Sequence, residues 1–248
     1  MRRLKESDSN KPADKCPQGQ VGHSRKHESA EQHVTGEAHY TDDRVISTNL
    51  LFAAVGQSPV AHAKIKSIDL SAVRQAAGVK AVITVDDVPG DIDIGPVFPG
   101  DLVLAKDNLE YVGQPIFAVA ATSQELAKKA TRLVVIEYQE LPPVLSITDA
   151  LEQQSFVRPS YVMQRGDSQQ GLEQAKNKLK GQIKIGGQEH FYLEGQVAIA
   201  EPLENDEFLI YSSTQHPSEV QKLVAEVLHV SLNKVTVETR RMGGAFWW

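Results

Sequence analysis

Cysteine is almost absent from this sequence, which has a single one, Cys16, among its 248 residues. The chain therefore cannot form an internal disulfide, and its own cysteines cannot hold a zinc ion or an iron–sulfur cluster. A reducing cytoplasm fits this composition. No run of about 18 apolar residues is present, so we expect no transmembrane helix. The basic N-terminus has no apolar stretch behind it and does not match a signal peptide.

Basic residues are fewer than acidic ones. The chain has 26 Lys and Arg against 32 Asp and Glu, which gives a formal net charge of -6. Phosphate binding needs concentrated Lys and Arg, so nucleic acid is not expected as the main partner. The hydrophobic content of 41% and the charged content of 23% are typical of a globular protein. The length allows one large domain or two modest ones.

The composition of the sequence changes along the chain and indicates four regions. Residues 1–32 are polar and predict a disordered or loosely docked tail. Residues 33–150 read as a compact α+β domain, residues 151–170 as a linker, and residues 171–248 as the start of a second domain. A helix is predicted within residues 171–179 of this last part.

The predicted first domain contains strands at residues 50–55, which should be buried, at 116–120 and at 134–138. Between the last two strands, Thr122 and Glu125 form a capping-box pattern at the start of a helix. We therefore predict a βαβ-like unit in this domain.

A second helix pattern lies near the C-terminus. Pro217 suits the first turn of a helix. Apolar residues then recur at helical spacing, which predicts one face packed on a sheet: Val220, Leu223, Val224, Val227 and Leu228. The flanking residues 208–213 and 235–237 are predicted strands.

The chemically richest stretch is Gly-Gly-Gln-Glu-His-Phe-Tyr-Leu-Glu, residues 186–194. We predict strands on both sides of it, at residues 182–185 and 197–200. A glycine pair lets the backbone approach a ligand closely, and Gln188 offers both a hydrogen-bond donor and an acceptor. This pattern indicates a site for a polar ligand. A β-hairpin with a Gly-Gly turn and an ordinary aromatic core is the alternative.

Five blocks of the sequence together resemble one known family: residues 36–43 (GEAHYTDD), 111–115 (YVGQP), 186–194, 212–221 (SSTQHPSEVQ) and 240–246 (RRMGGAF). They resemble the xanthine dehydrogenase and aldehyde oxidase family, most closely the large, molybdenum-binding subunit of its bacterial xanthine dehydrogenases. The resemblance implies an α/β hammerhead domain at residues 33–150, followed by the first part of a molybdopterin-binding α+β domain.

The resemblance also implies a cofactor site. Its expected cofactor-binding residues are Gly187, Gln188, Gly244, Ala245 and Phe246. Gln188 and Phe246 would lie near the molybdenum without ligating it, Gln188 by donating its amide N–H to an oxygen on the metal. Glu189 and Glu194 do not align with the family's general base and are interpreted as hydrogen-bonding scaffold. His190, Phe191 and Tyr192 are interpreted as core and loop-bracing residues.

The implied function is oxidative hydroxylation of hypoxanthine and xanthine to urate, a step of purine catabolism. Electrons would pass to NAD through iron–sulfur clusters and FAD on other parts of the enzyme, such as a small Fe–S/FAD subunit. An aldehyde oxidase-type hydroxylase is one alternative. A catalytically inactive truncated remnant, or a piece that pairs with a separately encoded C-terminal part, is another.

The end of the sequence departs from the family pattern, which continues Gly-Gly-Lys-Glu after the phenylalanine at 246. Here Trp247 and Trp248 stand in place of the two glycines, and the glutamate that acts as general base is not reached. One T inserted into TTT-GGT-GGT-AAA yields Phe-Trp-Trp-stop, so we expect a frameshift. The alternative is a true terminus whose tryptophans cover an exposed edge. In either case the chain alone is expected to be inactive.

Overall fold

The computed structural model describes residues 22–44, 49–192 and 194–244, and every structural statement below concerns these residues. The chain divides into two compact units, Met1–His39 and Tyr40–Trp248. In the first unit, helix α1 spans Ala30–Thr35. This helix begins inside the predicted tail, and most of that tail lies outside the described residues.

The first part of the second unit is built from six strands and two helices. Their bounds are β1 Phe52–Gln57, β2 Ala63–Asp69, α2 Ser71–Arg74, β3 Val79–Ile83, β4 Asn108–Leu109, β5 Pro115–Ala121, α3 Gln124–Thr131 and β6 Val135–Glu140. The strands form two antiparallel three-stranded sheets, with the orders β1-β5-β3 and β4-β2-β6. Helices and strands are thus mixed, as expected of an α+β fold.

The main core lies around β5, the central strand of its sheet. Its largest fully buried side chains include Phe117, which is 1% exposed, together with Val73, Leu109, Ile116 and Val119. Strand β1 lies at the edge of this sheet. The sequence predicts a buried strand at residues 50–55. The predicted burial is wrong, because Phe52 is 39% and Val55 44% exposed on this edge strand.

The βαβ-like unit predicted around helix α3 is also wrong. Strands β5 and β6 belong to different sheets, so α3 does not connect two strands of one sheet. Instead, α3 packs against β1 and β5. Its N-cap is Ser123, whose Oγ accepts from the backbone N–H of Leu126 (3.2 Å), one residue later than the cap expected at Thr122.

The region between the sheets of the second unit has little regular structure. Helix α4 spans Ile147–Glu152 and helix α5 spans Ser168–Gln174, so the second lies earlier than the helix predicted within residues 171–179. The strand predicted at residues 182–185 is absent. Ile183 and Ile185 are 81% and 77% exposed, because no neighbouring strand covers them.

The C-terminal part holds a third sheet. Its elements are β7 Ala198–Pro202, β8 Phe208–Ser212, α6 Pro217–Leu228 and β9 Val235–Glu238. Strand β8 pairs antiparallel with β7 and parallel with β9. Helix α6 connects the two parallel strands and packs against β9, so the βαβ unit of this chain lies here. Pro217 occupies the first turn of α6, as predicted.

A loop of the first part caps the end of α6. The backbone N–H of Gly90 donates to Val227 O and that of Asp91 donates to Glu226 O, each at 3.0 Å. The last carbonyls of a helix have no partner within the helix, and the bond from Gly90 gives Val227 O one. Glu226 O also accepts from the N–H of His229 at 3.2 Å. Along the described residues, no helix is both long and apolar enough to cross a membrane.

Candidate functional site

The site residues predicted from sequence fall on two irregular stretches of the second unit. We call residues 186–192 the glutamine segment, and Gly243 with Gly244 the glycine turn. The glutamine segment contains neither helix nor strand, and Gln188 is exposed on it. The glycine turn follows strand β9 and is half-buried.

The glycine pair of the glutamine segment is not required by packing within this chain. A Cβ added at Gly186 or Gly187 would find no heavy atom within 4 Å, and neither residue has a positive φ. The pair therefore leaves the backbone before Gln188 open to close approach by another group. The side-chain amide of Gln188 can donate two hydrogen bonds to such a group through its NH₂ and can accept hydrogen bonds at its oxygen.

The aromatic part of the glutamine segment is not a core, so that interpretation is wrong for Phe191. This side chain is 92% exposed, and its backbone has a left-handed φ of 52°. Glu189 Oε1 accepts from the backbone N–H of Phe191 (3.4 Å), a local bond consistent with the predicted scaffold role. Loss of water around the Tyr192 hydroxyl raises its pKa, and the negative charge of Glu189 adds to the shift.

Glu194 links the two stretches. It lies two residues beyond the glutamine segment, and its Oε2 accepts from the backbone N–H of Gly243 at 2.7 Å. Its Oε1 accepts from the backbone N–H of Thr41 at 3.4 Å. The interpretation of Glu194 as hydrogen-bonding scaffold is thereby confirmed. The structure thus connects the end of one predicted cofactor loop to the start of the other.

The segment that follows Glu194 is held by Ser213, at the end of β8. Ser213 Oγ accepts from the backbone N–H of Val197 (3.0 Å) and lies 3.3 Å from the carbonyl oxygens of Gly195 and Val197. Thr239 Oγ1 donates to Ser212 O (2.9 Å), which connects β8 to the chain leading into the glycine turn. These contacts anchor the residues just after Glu194 and the chain before the glycine turn to the third sheet.

Sequence reasoning missed the partners of these residues. Thr41 and Arg44 come from the N-terminal end of the second unit, yet Thr41 binds Glu194 and Arg44 binds Glu238 Oε1 (2.7 Å). The Arg44 guanidinium also lies 4.2 Å from the ring centroid of Tyr211. One signal pointed to Thr41, because it falls in the block at residues 36–43 that carried the resemblance.

The residues present fit the cofactor that the resemblance implies. Gln188 and the backbone N–H groups of the two stretches are neutral donors, which suit the oxygen atoms of a metal complex or of a phosphate. Gly187 allows close approach, and Gly244 directly follows the anchored Gly243. Ala245 and Phe246, the other predicted cofactor residues, lie outside the described residues, as do Trp247 and Trp248.

Comparison with known proteins agrees with this arrangement. Residues 35–142 match the family model "Aldehyde oxidase and xanthine dehydrogenase, a/b hammerhead domain", and residues 151–246 match "Molybdopterin cofactor-binding domain". The chain is 40% identical to xanthine dehydrogenase of Dictyostelium discoideum over 221 residues, which are 89% of this chain and 16% of that protein. It is also 40% identical to aldehyde oxidase 2 of Cavia porcellus over 232 residues, 93% of this chain and 17% of that protein.

The fold is similar to that of a solved relative. Aldehyde oxidoreductase from Desulfovibrio gigas superposes with a TM-score of 0.77 at 26% identity, covering 88% of this chain and 26% of that one. The chain thus spans less than a fifth of the length of the sequence relatives named above. One conclusion follows from the two adjoining domain matches, the relatives at 40% identity and the shared fold. The chain belongs to the xanthine dehydrogenase and aldehyde oxidase family of molybdenum hydroxylases.

Proposed function

We propose that this chain supplies the hammerhead domain and the first part of the molybdopterin-binding domain of a xanthine dehydrogenase-like hydroxylase. The proposed reaction is the oxidative hydroxylation of hypoxanthine and xanthine to urate. The observation that carries the proposal is the bond between Glu194 and Gly243, because it joins the chain two residues beyond the glutamine segment to the glycine turn that precedes the other expected cofactor residues.

In this proposal the chain binds and orients the cofactor. Gln188 would donate its amide N–H to the bound cofactor, and Gly187 and Gly244 would let the backbone come close to it. Ala245 and Phe246 are assigned beside the metal from the sequence alone. The bound molybdopterin supplies the redox chemistry. We assign no general base to this chain, and we place the iron–sulfur clusters and FAD that pass electrons to NAD on other parts of the enzyme.

Two other functions are alternatives. An aldehyde oxidase-type activity is supported by the match to aldehyde oxidase 2 of Cavia porcellus, whose identity of 40% equals that of the xanthine dehydrogenase match. The other alternative is a binding piece that acts only with a separately encoded remainder. A reducing cytoplasm remains our proposed location, because Cys16 is the only cysteine.

A hybrid enzyme tests the proposal. In it, residues 22–244 of this chain replace the matching segment of the Dictyostelium discoideum xanthine dehydrogenase. We expect the hybrid to contain molybdenum and to reduce NAD with xanthine. Reduction with aldehydes alone would favour the aldehyde oxidase-type function. A folded hybrid that contains no molybdenum would contradict the proposal.

The contribution of Gln188 needs a matched control. Gln182 is an exposed glutamine on the same irregular stretch, six residues before Gln188. We expect Gln188→Ala to lower kcat of the hybrid with little loss of fold, and Gln182→Ala to leave kcat unchanged. Equal kcat values for the two variants would remove Gln188 from the site. Co-production of the 248-residue chain with a Dictyostelium discoideum enzyme lacking the matching segment tests the separate-piece alternative.

A further inference from the structure

Glu194 makes contacts that differ from those of Glu189, the other carboxylate of residues 186–194. Its two oxygens accept backbone hydrogen bonds from residues far away in the sequence, Gly243 at 2.7 Å and Thr41 at 3.4 Å. The bond to Gly243 is short, as N–H bonds to a carboxylate are. Among the described residues, Glu189 by contrast accepts a local bond, from the N–H of Phe191 two residues on.

Close packing between Gly243 and Glu194 accompanies the hydrogen bond between them. A Cβ added at Gly243 would collide with the Cβ of Glu194 and would lie 2.9 Å from its backbone nitrogen. Side chain and main chain of Glu194 therefore both touch the glycine turn. Because only glycine lets two main chains approach this closely, the contact depends on the identity of both residues.

We propose that Glu194 is a positioning residue that holds the glycine turn against the end of the glutamine segment. It thereby fixes the distance between the chain just after the glutamine segment and Gly243, the residue before Gly244. Its two oxygens are engaged by backbone donors, so it orients the loops and takes no part in proton transfer. This inference rests on the proposed function only for the identity of the group that the two loops approach.

A carboxylate suits this role better than its amide. Each oxygen of a carboxylate accepts, whereas the side chain of glutamine has one accepting oxygen and one donating NH₂ group. Glu194→Gln therefore places a donor against the N–H of either Gly243 or Thr41. Glu194→Asp keeps both acceptors but shortens the side chain by one methylene, so it cannot reach both donors at once.

Amide hydrogen exchange of the 248-residue chain tests the contact directly. In Glu194→Gln we expect the amide of Gly243 or of Thr41, whichever faces the NH₂ group, to exchange about tenfold faster, which corresponds to about 1.4 kcal/mol. Glu189→Gln makes the same chemical change five residues earlier and should leave both amides unaffected. If Glu194→Gln does not fold, Glu194→Asp carries the same expectation, because it reaches only one of the two donors. Equal exchange of both amides in the Glu194 and Glu189 variants would overturn the proposal.

The hybrid enzyme tests whether the contact matters at the cofactor. We expect Glu194→Gln to alter the Mo(V) electron paramagnetic resonance spectrum and to lower kcat more than it changes KM. The control is Glu152→Gln, the same chemical change at an exposed residue of α4 outside the site. An unaltered spectrum with faster exchange of Gly243 or Thr41 would overturn the positioning role while leaving the proposed function intact. An inactive, molybdenum-free hybrid with the unaltered chain would instead contradict the proposed function, and the exchange result would still stand.

Discussion

A substitution at Gly90 tests how the first part of the second unit contacts the C-terminal end of helix α6. Its N–H donates to Val227 O, and the next residue, Asp91, donates to Glu226 O. A Cβ at position 90 would collide with Glu226 O and lie 2.9 Å from both Val227 O and the nitrogen of His229. These are main-chain atoms of α6 and of the residue after it, so they cannot rotate away.

The size of the effect follows from these contacts. Gly90→Ala should push the loop off the end of α6 and break both hydrogen bonds. A backbone hydrogen bond contributes about 0.5–1.5 kcal/mol net, so we expect a loss of about 1–3 kcal/mol. With a urea slope of about 2 kcal/mol per molar, the unfolding midpoint would fall by about 0.5–1.5 M.

The assay is urea unfolding followed by far-UV circular dichroism, with amide exchange at Gly90 and Asp91 as a local reading. Gly181→Ala is the control, because a Cβ there meets no heavy atom within 4 Å and its φ is not positive. We expect that variant to stay within about 0.5 kcal/mol of the unaltered chain. Equal midpoints and equal loop exchange for the two variants would refute the docking described here.

Three further predictions concern the core, the irregular region and the cofactor. Phe117→Ala empties the centre of the main core and should cost about 3–5 kcal/mol in urea unfolding; a loss below about 1 kcal/mol would contradict the assignment of this core. Limited proteolysis should cut first within residues 156–192, where Val157, Met163 and Leu179 are almost fully exposed, and first cuts inside β1–β6 would contradict this. The chain purified alone should carry less than one molybdenum, because two loops cannot enclose a pterin; elemental analysis showing one per chain would contradict it.

The elements predicted correctly are those whose sequence signal is local. Pro217 and the apolar spacing after it predict α6, and the apolar run at residues 116–120 predicts β5. Sheet membership depends on distant pairing, so neither the edge position of β1 nor the separation of β5 from β6 could be read from periodicity. Residues 182–185 alternate like a strand, yet a strand also needs a partner for its backbone groups, and none of the strands in the described part of the chain pairs with them.

The same contrast between local signals and distant pairing applies to the candidate site. The scaffold role of Glu194 was predicted by elimination, since it does not align with the family's base. Its partners could not be predicted, because Gly243 and Thr41 lie 49 and 153 residues away. The error at Phe191 has a related cause: an aromatic residue predicts burial only where the fold supplies a surface to cover it. In the described part of this chain, Phe191 remains exposed.

The central claim is that Gln188 lies at the molybdenum in the complete enzyme. The most direct measurement is the Mo(V) electron paramagnetic resonance spectrum of the hybrid enzyme carrying Gln188→Ala, compared with Gln182→Ala. If Gln188 donates to an oxygen on the metal, its loss changes the field at the molybdenum, so we expect shifted g values for Gln188→Ala and the unaltered spectrum for Gln182→Ala. Superimposable spectra for the two variants, at equal molybdenum content, would contradict the claim.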